Sequence, residues 1–272
     1  NSNLHEALLL QHQASQYVGM VGWYLLPQLD DQSNTNMRFV SGSEMLVGNP
    51  LSNGTSLGLH LSNLELYLIN ENDPLSDPIS LIGKSKLEVF EELKLRLENI
   101  GQDTSKLLNI PNSPIPPHQL DEGGVFEIHN AEDFIENTRY RQNADFLITE
   151  ISKEWEEASS VRVWPEHFDT GCIIPIAWKD QKTIIKSIGL GWAIPDEMIK
   201  EPYYYLNLWS ENPVDDFLSL KALDAGQWSQ AGWIGGTLTH TEIMKAKTSF
   251  EQSQMVLSFF RSGIEILKTQ YS

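Results

Sequence analysis

The residues best suited to chemistry lie in Val161-Arg-Val-Trp-Pro-Glu-His-Phe-Asp169, where an imidazole and a carboxylate stand two positions apart. Side chains alternate along a regular strand. His167 and Asp169 would then be neighbours on one face, with Trp164, Glu166 and Phe168 on the other. A carboxylate beside an imidazole fixes its tautomer and raises its basicity, which serves a general base or a metal ligand with its outer partner. His167 and Asp169 are therefore the candidate catalytic pair, although the same two groups also make an ordinary structural pair at a strand end. A metal would need further ligands from Asp196, Glu197, Glu201 or His240. None stands at a diagnostic spacing, and no His-Glu-x-x-His or EF-hand loop is present. His5 and His12 are two helical turns apart, too far to share an ion. No metal is assigned, and the cofactor is unknown.

Aromatic residues crowd the same region. Six of the eight tryptophans fall between Trp164 and Trp233. In Glu201-Pro-Tyr-Tyr-Tyr-Leu-Asn-Leu-Trp209, strand alternation puts Tyr203, Tyr205, Asn207 and Trp209 on one face, a platform for a sugar or another flat ligand. Trp164, Glu166, Trp192, Glu201, Tyr203, Tyr205 and Trp209 are the candidate ligand-binding residues. The competing reading buries this face under amphipathic helices, and buried tyrosine hydroxyls then need polar partners.

Other chemistries find no support. There is no Gly-x-Ser-x-Gly and no phosphate-binding loop. Cys172, three residues past Asp169, points away from His167 on a regular strand and reads as a small buried hydrophobe. Gly189-Leu-Gly191 is followed by strand-like residues, not by the helix of a dinucleotide site. Gly232, Gly235 and Gly236 also sit in a strand pattern, where close packing explains them.

The chain has 272 residues, 19 basic and 37 acidic, a formal charge of −18. A field of that sign repels phosphate backbones and anionic lipid, so neither nucleic acid nor a membrane surface is the expected partner. A single cysteine excludes an intrachain disulfide and a multi-cysteine zinc site. No apolar run approaches the roughly 20 residues that span a bilayer. No signal peptide is visible, and the cytoplasm is the expected location.

The elements that must position these residues read as follows. Residues 4–18 form a helix, Val18 to Leu26 a strand, and Met37 to Val47 a second strand. Leu57 to Ile69 alternates as a hairpin or bent strand turning at Ser62-Asn63. Ser85-Lys-Leu-Glu88 is a capping box that starts a helix with Leu87, Phe90, Leu93, Leu97 and Ile100 inward, stopped by Gly101. A proline-rich connector fills residues 102–124. Asn130 caps a helix reaching to about Ser159. Strands follow at 161–178, 183–194, 202–210 and 228–238. Thr239-His-Thr-Glu242 then opens a last helix to Lys268, with Ile243, Phe250, Leu257, Phe260, Ile264 and Leu267 inward. Runs of consecutive strands with helices at the ends predict an α+β fold of mainly antiparallel sheets. Residues 1–124 and 125–272 would be two topologically similar helix-strands-helix halves of one globular unit.

The order of motifs also resembles an uncharacterised bacterial family, a domain of unknown function. Its members carry a Trp-Pro-His-His-Phe-Asp-like strand, a glycine-containing strand of Gly-Phe-Ser-Pro-Gly-Asp type, and a Pro-Glu-Pro-Tyr-Phe-Tyr-like strand. Here Trp164-Pro-Glu-His-Phe-Asp169, Gly189-Leu-Gly-Trp-Ala-Ile-Pro-Asp196 and Glu201-Pro-Tyr-Tyr-Tyr205 stand in that order. Leu57-Gly-Leu-His-Leu-Ser-Asn-Leu-Glu-Leu-Tyr-Leu68 and Ile110-Pro-Asn-Ser-Pro-Ile-Pro116 extend the resemblance over most of the chain. The chain departs from the pattern at Glu166, where relatives carry His, and at Trp192-Ala-Ile-Pro-Asp196. The resemblance implies a fold grouping and no activity.

Two functions follow from the residues. The first is a small-molecule binding protein or enzyme with an aromatic-lined His/Asp site in the C-terminal half. The second is a non-catalytic protein-interaction or self-association module. The first requires His167 and Asp169 to converge in a concave site, and the second requires an exposed aromatic patch.

Overall fold

The computed structural model describes residues 2–70, 77–111, 114–180, 182–212, 220–229 and 234–271. The backbone divides into two compact units, one of Asn1–Gln142 with Arg162–Phe168 and one of Asn143–Val161 with Asp169–Ser272. Each is an antiparallel sheet with helices, so the fold is α+β. The proline-rich connector lies within the first unit.

In the first unit the strands are β1 (Met37–Val40), β2 (Met45–Gly48), β3 (Ser56–His60), β4 (Glu65–Ile69), β5 (Ile79–Ser80) and β6 (Arg162–Trp164). They run in the order β6-β1-β2-β3-β4-β5. The register lines up Phe39, Leu46, Leu59, Leu66 and Ile79 in one buried row across five of them. The stretch expected as one strand at Met37 to Val47 is the β1–β2 hairpin, turning through Ser41–Ser43 with Glu44 left-handed. Leu57 to Ile69 is the β3–β4 hairpin.

Helix α1 (Ser2–Leu25) is the largest departure from expectation, because Val18 to Leu26 reads as a strand and is helical through Leu25. Tyr17, Val18, Met20 and Val21 are all buried, so the apolar run is a helix wrapped on several sides. Gly22 lets the following chain lie against it. A Cβ there would sit 2.3 Å from the Asn34 carbonyl oxygen. Helix α2 (Lys86–Asn99) starts at the predicted capping box. Ser85 Oγ accepts from the Glu88 amide, and the Glu88 carboxylate accepts from the Ser85 amide. Gly101 follows with φ of +80°. Phe90, Leu93 and Leu97 are buried as expected, whereas Leu87 is exposed.

Helix α3 (Ala131–Ser152) begins where Asn130 accepts from the Glu132 amide, and it ends before the expected Ser159. Its residues from Asn143 onward belong to the second unit. There β7 (Asp169–Trp178), β8 (Ile184–Ala193), β9 (Tyr203–Ser210), β10 (Gln227–Trp228) and β11 (Gly235–Thr239) form a sheet in the order β10-β11-β9-β8-β7. The strand expected at 228–238 is thus two short ones, and Gly232 and Trp233 lie outside the described residues.

The last helix is also two, α4 (His240–Ile243) and α5 (Ser249–Tyr271). The break has a local cause. Glu251 accepts from the Lys247 and Thr248 amides at 3.0 Å each, and Thr248 Oγ1 accepts from the Glu251 amide at 3.2 Å. Thr248-Ser-Phe-Glu251 is therefore a second start signal. Helix α5 covers one face of the sheet. Tyr204 meets Phe260 edge-on at 5.8 Å, and Gly263 lies so close that a Cβ would be 2.2 Å from Leu206.

Candidate functional site

The strand expected through 161–178 is interrupted. Beta strand β6 ends at Trp164, residues 165–168 form a tight turn, and β7 starts at Asp169. Phe168 takes φ of +52°, and its amide donates to the Trp164 carbonyl at 2.7 Å. The alternation that would set His167 beside Asp169 on one strand face is lost. His167 is exposed at the turn of the first unit, and Asp169 opens the second.

The turn is held from inside the first unit by three residues that the sequence reading did not select. His12 Nε2 lies 2.8 Å from the Pro165 carbonyl oxygen, and Gln16 Nε2 donates to the same oxygen at 2.7 Å. Because a carbonyl only accepts, His12 carries its proton on Nε2. Arg141 Nη2 donates to the Phe168 carbonyl at 2.9 Å. The Phe168 ring touches both His12 and Arg141. His12 stacks on it at 5.1 Å and 6°, and the Arg141 guanidinium stands 3.9 Å from its centre. Burial pushes the His12 pKa down to about 4. The Pro165 hydrogen bond opposes this, while the charges of Arg141 and His167 add to it. His12 is neutral at pH 7 and holds the turn as a donor. Glu166 Oε2 and Gln16 Oε1 are shut away from solvent and accept no hydrogen bond among the described residues.

The sequence does signal this cluster. Gln11, His12, Gln13, Ser15 and Gln16 are buried polar residues crowded on α1. Gln11 donates to the Leu61 and Phe134 carbonyls, and Gln13 donates to the Pro116 carbonyl. Such a run of amides reaches backbone carbonyls of neighbouring elements that apolar side chains could not.

In the second unit, Tyr203, Tyr205, Asn207 and Trp209 do share a face, and it is the face opposite α5. Trp192 pairs with Tyr204 and is buried on the α5 side, so it does not join them. The tyrosine hydroxyls are occupied. Tyr205 donates to Asp169 Oδ2, and Tyr203 donates to Asp196 Oδ2 at 2.6 Å. Burial first, then these carboxylates, push both phenols above their ordinary range, so they remain donors and not nucleophiles. Asp196 Oδ1 also accepts from the Met198 and Ile199 amides. Glu201, just before β9, reaches the first turn of α4: its carboxylate accepts from the Thr241 amide at 2.6 Å. Burial alone would raise its pKa, but hydrogen bonds from Thr241 and Thr239 and the charge of His240 hold it below the usual value. Trp209 is 48% exposed beside Asn207, and Trp164 is half-buried on β6.

The Gly189-Leu-Gly191 motif makes room for these side chains. A Cβ on Gly189 would sit 2.5 Å from Asn207 Oδ1. One on Gly191 would sit 2.5 Å from the Thr170 carbonyl oxygen and 2.6 Å from the Tyr205 hydroxyl. We expect Gly191→Ala to lower stability by about 2 kcal/mol. Because the Thr170 contact is backbone, Tyr205→Ala should not rescue it. Equal urea midpoints for wild type and Gly191→Ala would contradict this.

Among the described residues, no group of three or more His, Cys, Asp and Glu side chains is placed to hold a metal ion. Nor is any helix of theirs long and apolar enough to cross a membrane. Cys172 is buried, and burial pushes its thiol pKa up to about 12, which removes the thiolate needed for reactivity.

A concave surface lies elsewhere in the second unit. The end of α3 and the start of α5 enclose a groove of about 460 Å³ lined by Phe146, Leu147, Phe250 and Leu257, with Glu150, Glu154 and Arg261 among the polar groups. Leu147 is buried, while Phe146 is 60% and Phe250 71% exposed. Phe250 was expected inward, because it stands seven residues before Leu257. It lies in the first turn of α5 and is exposed there. No family model, curated protein or solved structure matches this chain.

Proposed function

We propose that this protein is a non-catalytic protein-interaction or self-association module whose docking surface is the α3–α5 groove of the second unit. One observation carries the reading: Phe146 and Phe250, two of the groove's four apolar lining residues, are left mostly in water. A large exposed aromatic pair is costly to keep without a partner, and aromatic side chains filling a pocket are the usual anchors of an interface. The enzyme reading draws less support, because the turn breaks the His167–Asp169 alternation and the two tyrosines already spend their hydroxyls on carboxylates. A charge of −18 favours a protein partner over nucleic acid or anionic lipid, and the single cysteine fits a reducing cytoplasm.

The test uses Nile red, a neutral dye, since an anionic one would be repelled by the protein's own charge. Phe146→Ser and Phe250→Ser should each reduce bound-dye emission several-fold. Melting temperature should hardly move, because exposed substitutions usually stay within about 0.5 kcal/mol. Undiminished emission in both variants would remove the groove as a docking surface.

A further inference from the structure

The groove's charges point to its occupant. The chain carries −18 overall, so most of its surface repels a second copy. The groove is different. Its two carboxylates are each matched by a cation within the unit: Lys153 Nζ lies 2.6 Å from Glu150 Oε1, and Arg261 holds Glu154 by both Nε and Nη2 at 2.6–3.0 Å. The rim is therefore close to neutral and does not repel a second copy as the rest of the surface does.

A two-fold contact between identical chains needs one patch that supplies both halves of every interaction. This groove does so. It offers projecting rings, Phe146 and Phe250, and an apolar floor at Leu147 and Leu257 to receive them. It also offers both signs of charge on one rim, so the Arg261 of one copy can share the Glu150 or Glu154 of the other. All four ionic side chains are partly exposed and free to re-pair.

We propose that the α3–α5 groove is the interface of an isologous homodimer, in which Phe146 and Phe250 of each protomer enter the groove of its partner. This rests on the docking reading above and names its occupant. The helical surface involved is short: residues 249–261 of α5 run about 20 Å at 1.5 Å per residue. An interface of that length falls at the small end of specific contacts, so the dimer is weak, with dissociation in the micromolar range on the order of 10–100 µM.

Sedimentation velocity over a concentration series up to roughly ten times that dissociation range tests it. Wild type should shift from monomer to dimer with concentration. Phe250→Asp and Phe146→Asp should each weaken association by roughly thirtyfold or more, as loss of an interface anchor does. Arg261→Glu should weaken it too, and the double variant Glu154→Arg with Arg261→Glu should restore it, since the swap keeps the pair. Circular dichroism melting of each variant confirms that the fold is intact.

A monomer throughout the series overturns the proposal, as does a dimer that survives both phenylalanine substitutions. The dye experiment separates this failure from that of the docking reading. A monomer whose dye signal still depends on Phe146 and Phe250 has a docking groove for another protein. A monomer without that dependence has neither.

Discussion

Phe168→Ala is expected to cost about 4 kcal/mol of folding stability, the usual range for emptying a fully buried phenylalanine site. The ring has no solvent contact, and both His12 and Arg141 rest against it. Its removal leaves the buried guanidinium without the aromatic face that replaces part of its hydration. The backbone gives a sharper test. At φ of +52° an L-residue carries left-handed strain of about 1–2 kcal/mol, which glycine does not. Phe168→Gly should therefore be less destabilising than Phe168→Ala by about 1 kcal/mol, the reverse of the order in regular structure. Urea unfolding of the three proteins reads this directly. If glycine proves worse than alanine, the left-handed turn does not set the energetics of this site.

The turn also shows where sequence reasoning reaches its limit. The fold class was legible, because successive alternating runs bounded by capped helices leave few arrangements other than antiparallel sheets with helices. Ser85 and Glu88 located a helix start to the residue. By alternation Trp164 to Asp169 reads as continuous strand, although Pro165 argues against it: proline inside a strand marks an edge or an end. What fills a left-handed position at Phe168 is visible only once His12, Gln16 and Arg141 converge on it. The polar run from Gln11 to Gln16 marks a helix that turns amides inward, but nothing local ties it to Phe168 or to Arg141, both far along the chain. Val18 to Leu26 fails for another reason. Apolar residues on every side remove the periodicity that separates a strand from a helix, and burial decides. Phe250 shows the converse. Its spacing matches the core stripe of α5, yet a stripe only predicts a direction, and its outer end passes the edge of what it covers.

Lowering the pH from 7 to 4.5 should destabilise the first unit through His12 alone by roughly 2–3 kcal/mol. The sign follows from the two states. In the unfolded chain the imidazole binds a proton near its ordinary 6.5, and in the folded protein only near 4. Between these values the unfolded state holds more protons, so stability falls as pH drops through the window. It is flat with respect to this residue above about 6.5, and the penalty is complete below about 4. At 1.36 kcal/mol per unit, the full difference is roughly 3 kcal/mol. The residue is 2% exposed, so solvent screening relieves little of it. Arg141 and His167 add to the penalty, while the carbonyls of Pro165 and Glu166 reduce it. The control is His12→Gln, which keeps a donor for the Pro165 carbonyl and cannot titrate. Its stability at pH 7 should be lower than wild type, since it loses the ring stacked on Phe168. Its slope between pH 6.5 and 4 should be shallower by the His12 contribution, and the two curves should converge as the pH falls. Parallel curves across the window would mean that His12 gains its proton in the folded state as easily as in the unfolded one. The neutral donor at the centre of the turn would then be wrong.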